Sequence, residues 1–128
     1  MLSFGSGFCT GALINNVEND GTPYFLTANH CYSNPSTWAF RFGWISPNPV
    51  CASNTNSANG PTDLTISGAS LRARDGISDF ALVEINQPIP EEWERVYAGW
   101  DRSGIFPDFT VGIHPVSYTH LTLPTNDQ

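Results

Sequence analysis

Two segments decide the fold of this chain: Cys9-Thr-Gly-Ala-Leu-Ile14 and Tyr24-Phe-Leu-Thr-Ala-Asn-His30-Cys31. The stretch between them is polar and ends in Asp20-Gly21, which is a strong hairpin signal when it stands between two apolar runs. We therefore predict a β-hairpin, with one strand over Phe8 to Leu13 and a returning strand over Tyr24 to Thr27. The returning strand leads directly into the His-Cys pair that closes the second segment.

The rest of the chain alternates short apolar runs with turn residues, which favours an all-β domain. The four aromatic residues of Trp38 to Trp44 alternate and share one face of a predicted strand. Ser46 to Asp63 is rich in Asn, Ser, Pro and Gly and predicts a long surface loop. The remaining predicted elements are strands over Leu64 to Leu71, Phe80 to Ile85, Val96 to Trp100 and Phe109 to His114, and a turn over Pro88 to Glu92. About seven short strands with turns between them fit a small Greek-key barrel or sandwich.

Composition limits the classes of function. The 128 residues allow one domain, and only 13% of them are charged. Acidic residues outnumber basic ones 12 to 5, for a net charge of -7. Such a surface repels phosphate backbones, so we expect no nucleic-acid binding. No apolar run approaches the ~20 residues that a membrane span needs.

Three cysteines, Cys9, Cys31 and Cys51, leave several interpretations open. An odd count in a secreted protein implies a missing partner or a free thiol, whereas in a cytosolic protein all three can be reduced core residues. A zinc site made of the cysteines and His30 is a further alternative. Its spacing matches no common ligand pattern, and adjacent strand residues such as His30 and Cys31 point in opposite directions. We therefore expect no metal ligands and no cofactor.

The segment that ends in Thr27-Ala-Asn-His30-Cys31 resembles the histidine motif of chymotrypsin-fold serine proteases, in which a strand ends in Thr-Ala-x-His-Cys. Ser78-Asp79-Phe80-Ala-Leu-Val-Glu-Ile85 is similar to the segment of that family that carries the triad aspartate. The resemblance implies that His30 is a general base and then a general acid. It implies that Asp79 fixes the imidazole tautomer and stabilises the imidazolium. The order of His before Asp is the chymotrypsin order, which places the nucleophilic Ser later.

A closer resemblance is to the bacterial lysyl endopeptidase group of that fold. It rests on Thr10-Gly-Ala-Leu-Ile-Asn-Asn16, Ala98-Gly-Trp-Asp-Arg102 and Gly112-Ile-His-Pro115, in this order. The resemblance covers residues 8 to 115. It implies an all-β fold, namely the N-terminal Greek-key β-barrel of a two-barrel chymotrypsin-like fold, truncated before the second barrel.

The resemblance also implies a cysteine pairing. In this family the Cys after the His bridges back to a Cys at the start of the preceding hairpin, and Cys9 and Cys31 match that pair. Cys51 matches a family cysteine whose usual partner lies near the mature N-terminus. The resemblance further implies a secreted protein, a polypeptide substrate and, as a partner, the missing C-terminal barrel of the same protein.

Two features depart from the family. Proteases of this group carry their nucleophile in a Gly-x-Ser-Gly loop after the Ile-His-His-Pro segment, and that nucleophilic Ser is absent from the chain. Ser103 lies in Asp-Arg-Ser-Gly, next to the motif that ends at Arg102, and we do not expect it to be the nucleophile. Val116 to Thr125 does not resemble the family and looks like translated sequencing-library adapter.

We therefore expect a domain over residues 1–115, an incomplete N-terminal barrel, and a non-native tail over residues 116–128. In this interpretation His114 is structural and His120 belongs to the tail.

Two functional hypotheses follow. In the first, the parent protein is a secreted serine endopeptidase, and this chain holds only the His/Asp half of its triad. The chain is then inactive alone, because the nucleophile, the oxyanion hole and the specificity pocket come from the other half. The alternative is a non-catalytic secreted binding or structural module that keeps a protease-like β-barrel.

Overall fold

The computed structural model describes residues 2–4, 7–48 and 58–109. Their strands form two four-stranded sheets of antiparallel ladders, in the orders β2-β1-β5-β6 and β3-β4-β8-β7. The strands are β1 (Leu2–Phe4), β2 (Gly7–Cys9), β3 (Gly11–Ile14), β4 (Tyr24–Ala28), β5 (Ala39–Arg41), β6 (Thr65–Ser67), β7 (Ala69–Asp75) and β8 (Phe80–Ile85). The predicted all-β class is confirmed. Within the described ranges no ladder joins the two sheets, so they form an open barrel fragment.

The predicted hairpin is present as β3 and β4, which pair from Gly11 opposite Thr27 to Ile14 opposite Tyr24. The prediction of one strand over Phe8 to Leu13 was wrong, because the chain changes sheets at Thr10. Cys9 pairs with β1 in the first sheet, while Gly11 pairs with β4 in the second. The Thr10 carbonyl accepts a hydrogen bond from the Thr27 hydroxyl at 2.7 Å. This bond satisfies the Thr10 carbonyl where the chain passes from the first sheet to the second.

A second sheet change divides the predicted strand over Leu64 to Leu71. Gly68 has φ +87°, a conformation that side chains other than glycine rarely adopt, and it separates β6 from β7. Its amide donates to the Trp38 carbonyl at 2.9 Å, and its own carbonyl accepts from the Asn86 amide at 3.0 Å. Because of this corner, β6 extends the first sheet and β7 extends the second.

The alternating aromatic segment supplies much of the core between the sheets. Trp38 and Phe40 are fully buried, as the alternation predicts, and the Phe25 ring meets Phe40 edge-on at 5.0 Å between centroids. The strand itself is shorter than predicted, since β5 ends at Arg41 and Gly43 has φ +56°. The core cluster consists of Leu13, Phe25, Trp38, Phe40, Ile66, Ala69, Val83, Ile85 and Ile89.

β8 coincides with the predicted strand over Phe80 to Ile85 and lies between β4 and β7. Its alternate residues Ala81, Val83 and Ile85 are buried, so this strand carries one face of the second sheet into the core.

The C-terminal part of the described chain has little regular structure. Within the predicted turn over Pro88 to Glu92, residues 88–90 are irregular, and a 3₁₀ helix over Glu91–Trp93 begins directly after them. The predicted strand over Val96 to Trp100 was wrong, since only Ala98 makes a bridge, to Ile14. The predicted strand over Phe109 to His114 and the tail over 116–128 lie outside the described residues. Among the residues that are described, no helix has the length and apolar character that crossing a membrane requires.

Candidate active site

His30 lies in a single 3₁₀ turn, Asn29–Cys31, that begins where β4 ends. Within this turn Cys31 is buried and His30 is exposed. The turn therefore presents the imidazole at the end of the second sheet while its neighbour holds the backbone to the core.

Asp79 lies at the end of the tight turn between β7 and β8. The Asp75 carboxylate closes that turn by accepting from the Ile77 amide, the Ser78 amide and the Ser78 hydroxyl, at 3.1, 2.7 and 2.6 Å. Asp79 itself has φ +52°, a left-handed conformation that Asp tolerates better than most residues. The turn thus rotates the Asp79 carboxylate out of the regular strand direction.

The pairing of β4 with β8 brings these two residues together. Ala28 stands opposite Phe80, and the next residues on each side are joined by a hydrogen bond from the Asn29 amide to the Asp79 carbonyl at 3.0 Å. The long sequence separation between His30 and Asp79, 49 positions, is therefore closed by the strand ladder.

Both oxygens of the Asp79 carboxylate contact His30. Oδ1 accepts from the His30 backbone amide at 2.8 Å, and Oδ2 lies 2.6 Å from ring atom Nδ1. An ionised carboxylate only accepts hydrogen bonds, so Nδ1 carries the proton and donates. This arrangement favours the neutral tautomer in which Nε2 is an acceptor.

The hydrogen bond from the His30 ring, followed by that from the His30 amide, lowers the pKa of Asp79 below its ordinary value. The carboxylate is therefore ionised at neutral pH. The His30 and Asp79 side chains are 73% and 47% exposed, so water screens their attraction, and geometry rather than strong charge pairing defines the corner.

The predicted disulfide between Cys9 and Cys31 is present, with its Cα atoms 6.3 Å apart. It ties the 3₁₀ turn that carries His30 to the end of β2 in the other sheet. Cys51 lies outside the described residues.

One argument against a metal at this corner was wrong. His30 and Cys31 do not leave a strand in opposite directions, because they lie in a 3₁₀ turn. A sulfur from each of Cys9 and Cys31 and a ring nitrogen of His30 all lie within 4.8 Å of one another. In the disulfide form, however, the two sulfurs are bonded to each other, and the thiolate is the form of cysteine that ligates metals.

The structure adds two residues to this corner that sequence reasoning missed. The Arg74 guanidinium lies over the Tyr32 ring at 4.3 Å, and Tyr32 meets Trp38 edge-on at 6.0 Å between centroids. This stack braces the residue after Cys31 against β7 and the core. A cation over an aromatic ring from distant parts of the chain leaves no spacing pattern in the sequence.

Ser103 contributes to a local turn instead of this corner. Its amide donates to Asp101 Oδ1 at 2.8 Å and its hydroxyl donates to Asp101 Oδ2 at 2.8 Å. His114 and His120 lie outside the described residues.

Comparison with known proteins decides the family. Residues 1–117 match the family described as "Lysyl endopeptidase, C-terminal domain". The chain belongs to this family. A lysyl endopeptidase of Pseudomonas aeruginosa is 28% identical over 102 residues, which are 79% of this chain and 22% of that protein. The chain thus spans less than a quarter of the length of that curated relative. The lysyl endopeptidase resemblance inferred from the motifs is confirmed, and the chain is a region related to a protease.

Proposed function

We propose that this chain is the His/Asp half of a serine endopeptidase, in which His30 is the general base and Asp79 is its orienting partner. The observation that carries the proposal is the bond between His30 Nδ1 and Asp79 Oδ2 at 2.6 Å. This hydrogen bond joins the two residues whose motifs resemble the catalytic segments of chymotrypsin-fold serine proteases. The chain that contains it belongs to the lysyl endopeptidase family.

The chemistry follows from the tautomer. With Nδ1 donating to Asp79, Nε2 takes the proton from a serine hydroxyl as that hydroxyl attacks a peptide carbonyl. The carboxylate stabilises the imidazolium that forms, and His30 then returns the proton to the leaving amine. The nucleophile and the oxyanion-hole donors come from sequence beyond this chain, so the 128 residues alone are inactive.

The proposed substrate is a polypeptide. The relative's name refers to lysyl bonds, so a lysyl peptide is the first substrate to test. The residue preference of this protein is set in the proposed second barrel. A disulfide between Cys9 and Cys31 persists in oxidising compartments, which supports a secreted protein.

The test begins with resequencing of the source locus across the His114 codon. We expect the frame to continue through a His-Pro segment to a Gly-x-Ser-Gly loop. In that extended protein, His30→Ala should lower kcat for a lysyl peptide amide by on the order of 10⁶ and Asp79→Asn by about 10⁴. Glu18→Gln, which removes an exposed carboxylate from the hairpin turn, is the matched control and should keep wild-type kcat.

Wild-type kcat in the His30→Ala protein would overturn the proposal. Hydrolysis by the 128-residue chain above the buffer rate would contradict its inactivity. A clean locus that still encodes Val116 to Gln128 and then stops would instead favour the non-catalytic module.

A further inference from the structure

The turn that carries Asp79 is held by a single carboxylate oxygen. Asp75 ends β7 and pairs with Phe80, which begins β8, so residues 76–79 span the turn between the two strands. Oδ2 of Asp75 accepts from the Ile77 amide, the Ser78 amide and the Ser78 hydroxyl. The Ser78 hydroxyl, followed by the Ser78 amide, lowers the pKa of Asp75. The carboxylate is therefore ionised at neutral pH, and its hydrogen bonds are charge-assisted.

The Asp79 backbone is attached on both sides. The peptide that precedes it belongs to Ser78, whose amide and hydroxyl are bound to Asp75. Its carbonyl accepts from the Asn29 amide at 3.0 Å. Between these attachments Asp79 has φ +52°, a conformation that costs energy for a residue with a Cβ. Loss of the Asp75 attachment would free the peptide between Ser78 and Asp79 to rotate towards negative φ.

Such a rotation would move the Asp79 carboxylate relative to His30. Its two oxygens lie 2.8 Å from the His30 amide and 2.6 Å from Nδ1, so both contacts depend on one orientation of the carboxylate. The turn also lies close to the residue before His30, since a Cβ at Gly76 would be 3.7 Å from the side-chain nitrogen of Asn29. A change in the backbone of this turn would therefore act directly on the pair of His30 and Asp79.

We propose that Asp75 is a positioning residue of this site, which holds the peptide between Ser78 and Asp79 and thereby keeps the Asp79 carboxylate on Nδ1 of His30. Its role is geometric, because the position of its acceptor oxygen fixes the turn. The consequence for catalysis rests on the proposed function, whereas the consequence for the His30 ring does not.

The first experiment measures the His30 ring in the 128-residue chain by ¹⁵N NMR, at a pH where the imidazole is neutral. In the wild type, Nδ1 should carry the proton, because it donates to Asp79. Asp75→Ala should shift the ring towards the tautomer with the proton on Nε2. Asp75→Asn should keep the wild-type tautomer, because the amide oxygen can accept the same bonds without the charge.

Asp20→Ala is the matched control. The Asp20 carboxylate also holds a hairpin turn, by accepting from the Thr22 amide and hydroxyl at 2.9 and 2.7 Å. That turn precedes β4, whereas His30 follows the other end of the same strand. Asp20→Ala should therefore leave the His30 tautomer unchanged.

The second experiment measures kinetics in the extended protein of the proposed function. Asp75→Ala should lower kcat by on the order of 10²-fold, as a misplacement of about 1 Å in a catalytic group does. KM should stay near the wild-type value, since the lost interaction orients the base and does not bind the substrate. Asp75→Asn should retain most of the wild-type kcat, and Asp20→Ala should retain all of it.

Either an unchanged ring tautomer or a wild-type kcat in folded Asp75→Ala would overturn the proposal. Equal losses in Asp75→Ala and Asp75→Asn would contradict a geometric role. Wild-type kcat in His30→Ala would refute the proposed function instead, and the NMR result would then decide the role of Asp75 by itself.

The fluorescence of the buried Trp38 reports whether Asp75→Ala folds. If it does not fold, Ser78→Ala replaces it, because this variant removes only the hydroxyl bond at 2.6 Å and keeps the two amide bonds. Ser78→Ala should shift part of the His30 population to the other tautomer. An unchanged tautomer in Ser78→Ala would then overturn the proposal.

Discussion

Two aspartates of this chain each accept two hydrogen bonds from one other residue, but the sequence separation from that residue differs greatly. Asp101 accepts from the amide and hydroxyl of Ser103, two residues later. Asp79 accepts from the amide and ring of His30, 49 positions earlier. Hydrogen bonding lowers the pKa of both carboxyl groups, from His30 at Asp79 and from Ser103 at Asp101.

The surroundings of the two aspartates explain what each arrangement needs. The Asp101 turn, residues 101–103, lies in an exposed stretch without strands and requires only its own short sequence. The Asp79 corner, formed by Asn29–Cys31 and the turn 76–79, exists because β8 pairs with β4 over a packed core. A local turn can form in an unfolded chain, whereas the Asp79 corner is a property of the folded sheet.

The largest expected effect comes from removing the aromatic ring that β4 itself contributes to the core. Phe25 is 3% exposed and packs edge-on against Phe40. Phe25→Ala should lower the free energy of unfolding, measured by urea denaturation, by about 3–5 kcal/mol. The Asp79 corner should be lost with it.

The matched control lies beside the Asp101 turn. Phe106 is 91% exposed, so Phe106→Ala should change the free energy of unfolding by no more than about 0.5 kcal/mol. Equal losses of unfolding free energy in Phe25→Ala and Phe106→Ala would contradict the dependence of the Asp79 corner on the packed core.

The next effect concerns the disulfide that ties His30's turn to β2. Replacing Cys9 and Cys31 together by Ser should lower the free energy of unfolding by about 3 kcal/mol, because a loop of this length is no longer closed in the unfolded chain. Denaturation with and without a reductant checks this. The reductant should destabilise the wild-type chain and leave the double variant unchanged, while the Ser103 amide resonance should stay where it is in both. A reductant-sensitive double variant would contradict this account.

A smaller effect is expected at Gly11, which pairs with Thr27 in β4. A Cβ at Gly11 would meet the Phe25 ring and lie 2.5 Å from the Leu26 carbonyl oxygen, which is backbone and cannot rotate away. Gly11→Ala should therefore cost about 1–3 kcal/mol of stability by thermal or urea unfolding. Gly99→Ala, near the Asp101 turn, meets nothing within 4 Å and should be nearly neutral. A neutral Gly11→Ala would mean that β3 and β4 are less closely apposed than described.

The smallest effect is a pH dependence. Because the folded-state pKa of Asp79 is lowered, chiefly by the His30 hydrogen bond, its contribution to stability is present above the carboxyl pKa of the unfolded chain. It is lost as the pH falls through the lowered folded pKa. Asp79→Asn should therefore flatten the loss of stability that urea denaturation shows as the pH falls below the ordinary carboxyl pKa of about 4.

Asp101→Asn is the matched change in the local turn. The Asp101 turn can persist in the unfolded chain, so the lowering of its pKa is partly shared by both states and cancels from the stability. We expect Asp101→Asn to reduce the loss of unfolding free energy at low pH less than Asp79→Asn does. The opposite order would contradict the assignment of Asp79 to tertiary structure.

The sequence alone identified the elements whose signals are local. Asp20-Gly21 marked the β3–β4 hairpin, and the alternation of Phe80 to Ile85 marked β8. The motifs around His30 and Asp79 indicated two residues that the structure brings to 2.6 Å. These predictions succeeded because turn chemistry and the two-residue period of a strand depend only on residues close together in the sequence.

Tertiary structure alone decided where the chain changes sheets and how the corner is oriented. Thr10 and Gly68 divide two apolar runs that looked continuous, and β1 was not predicted. The 3₁₀ turn that places His30 beside the disulfide was also not visible in the spacing. Periodicity tells which face a side chain occupies but not which strand its backbone will pair with. That choice depends on hydrogen bonds between segments far apart in sequence, which form only when the two sheets close over their shared aromatic core.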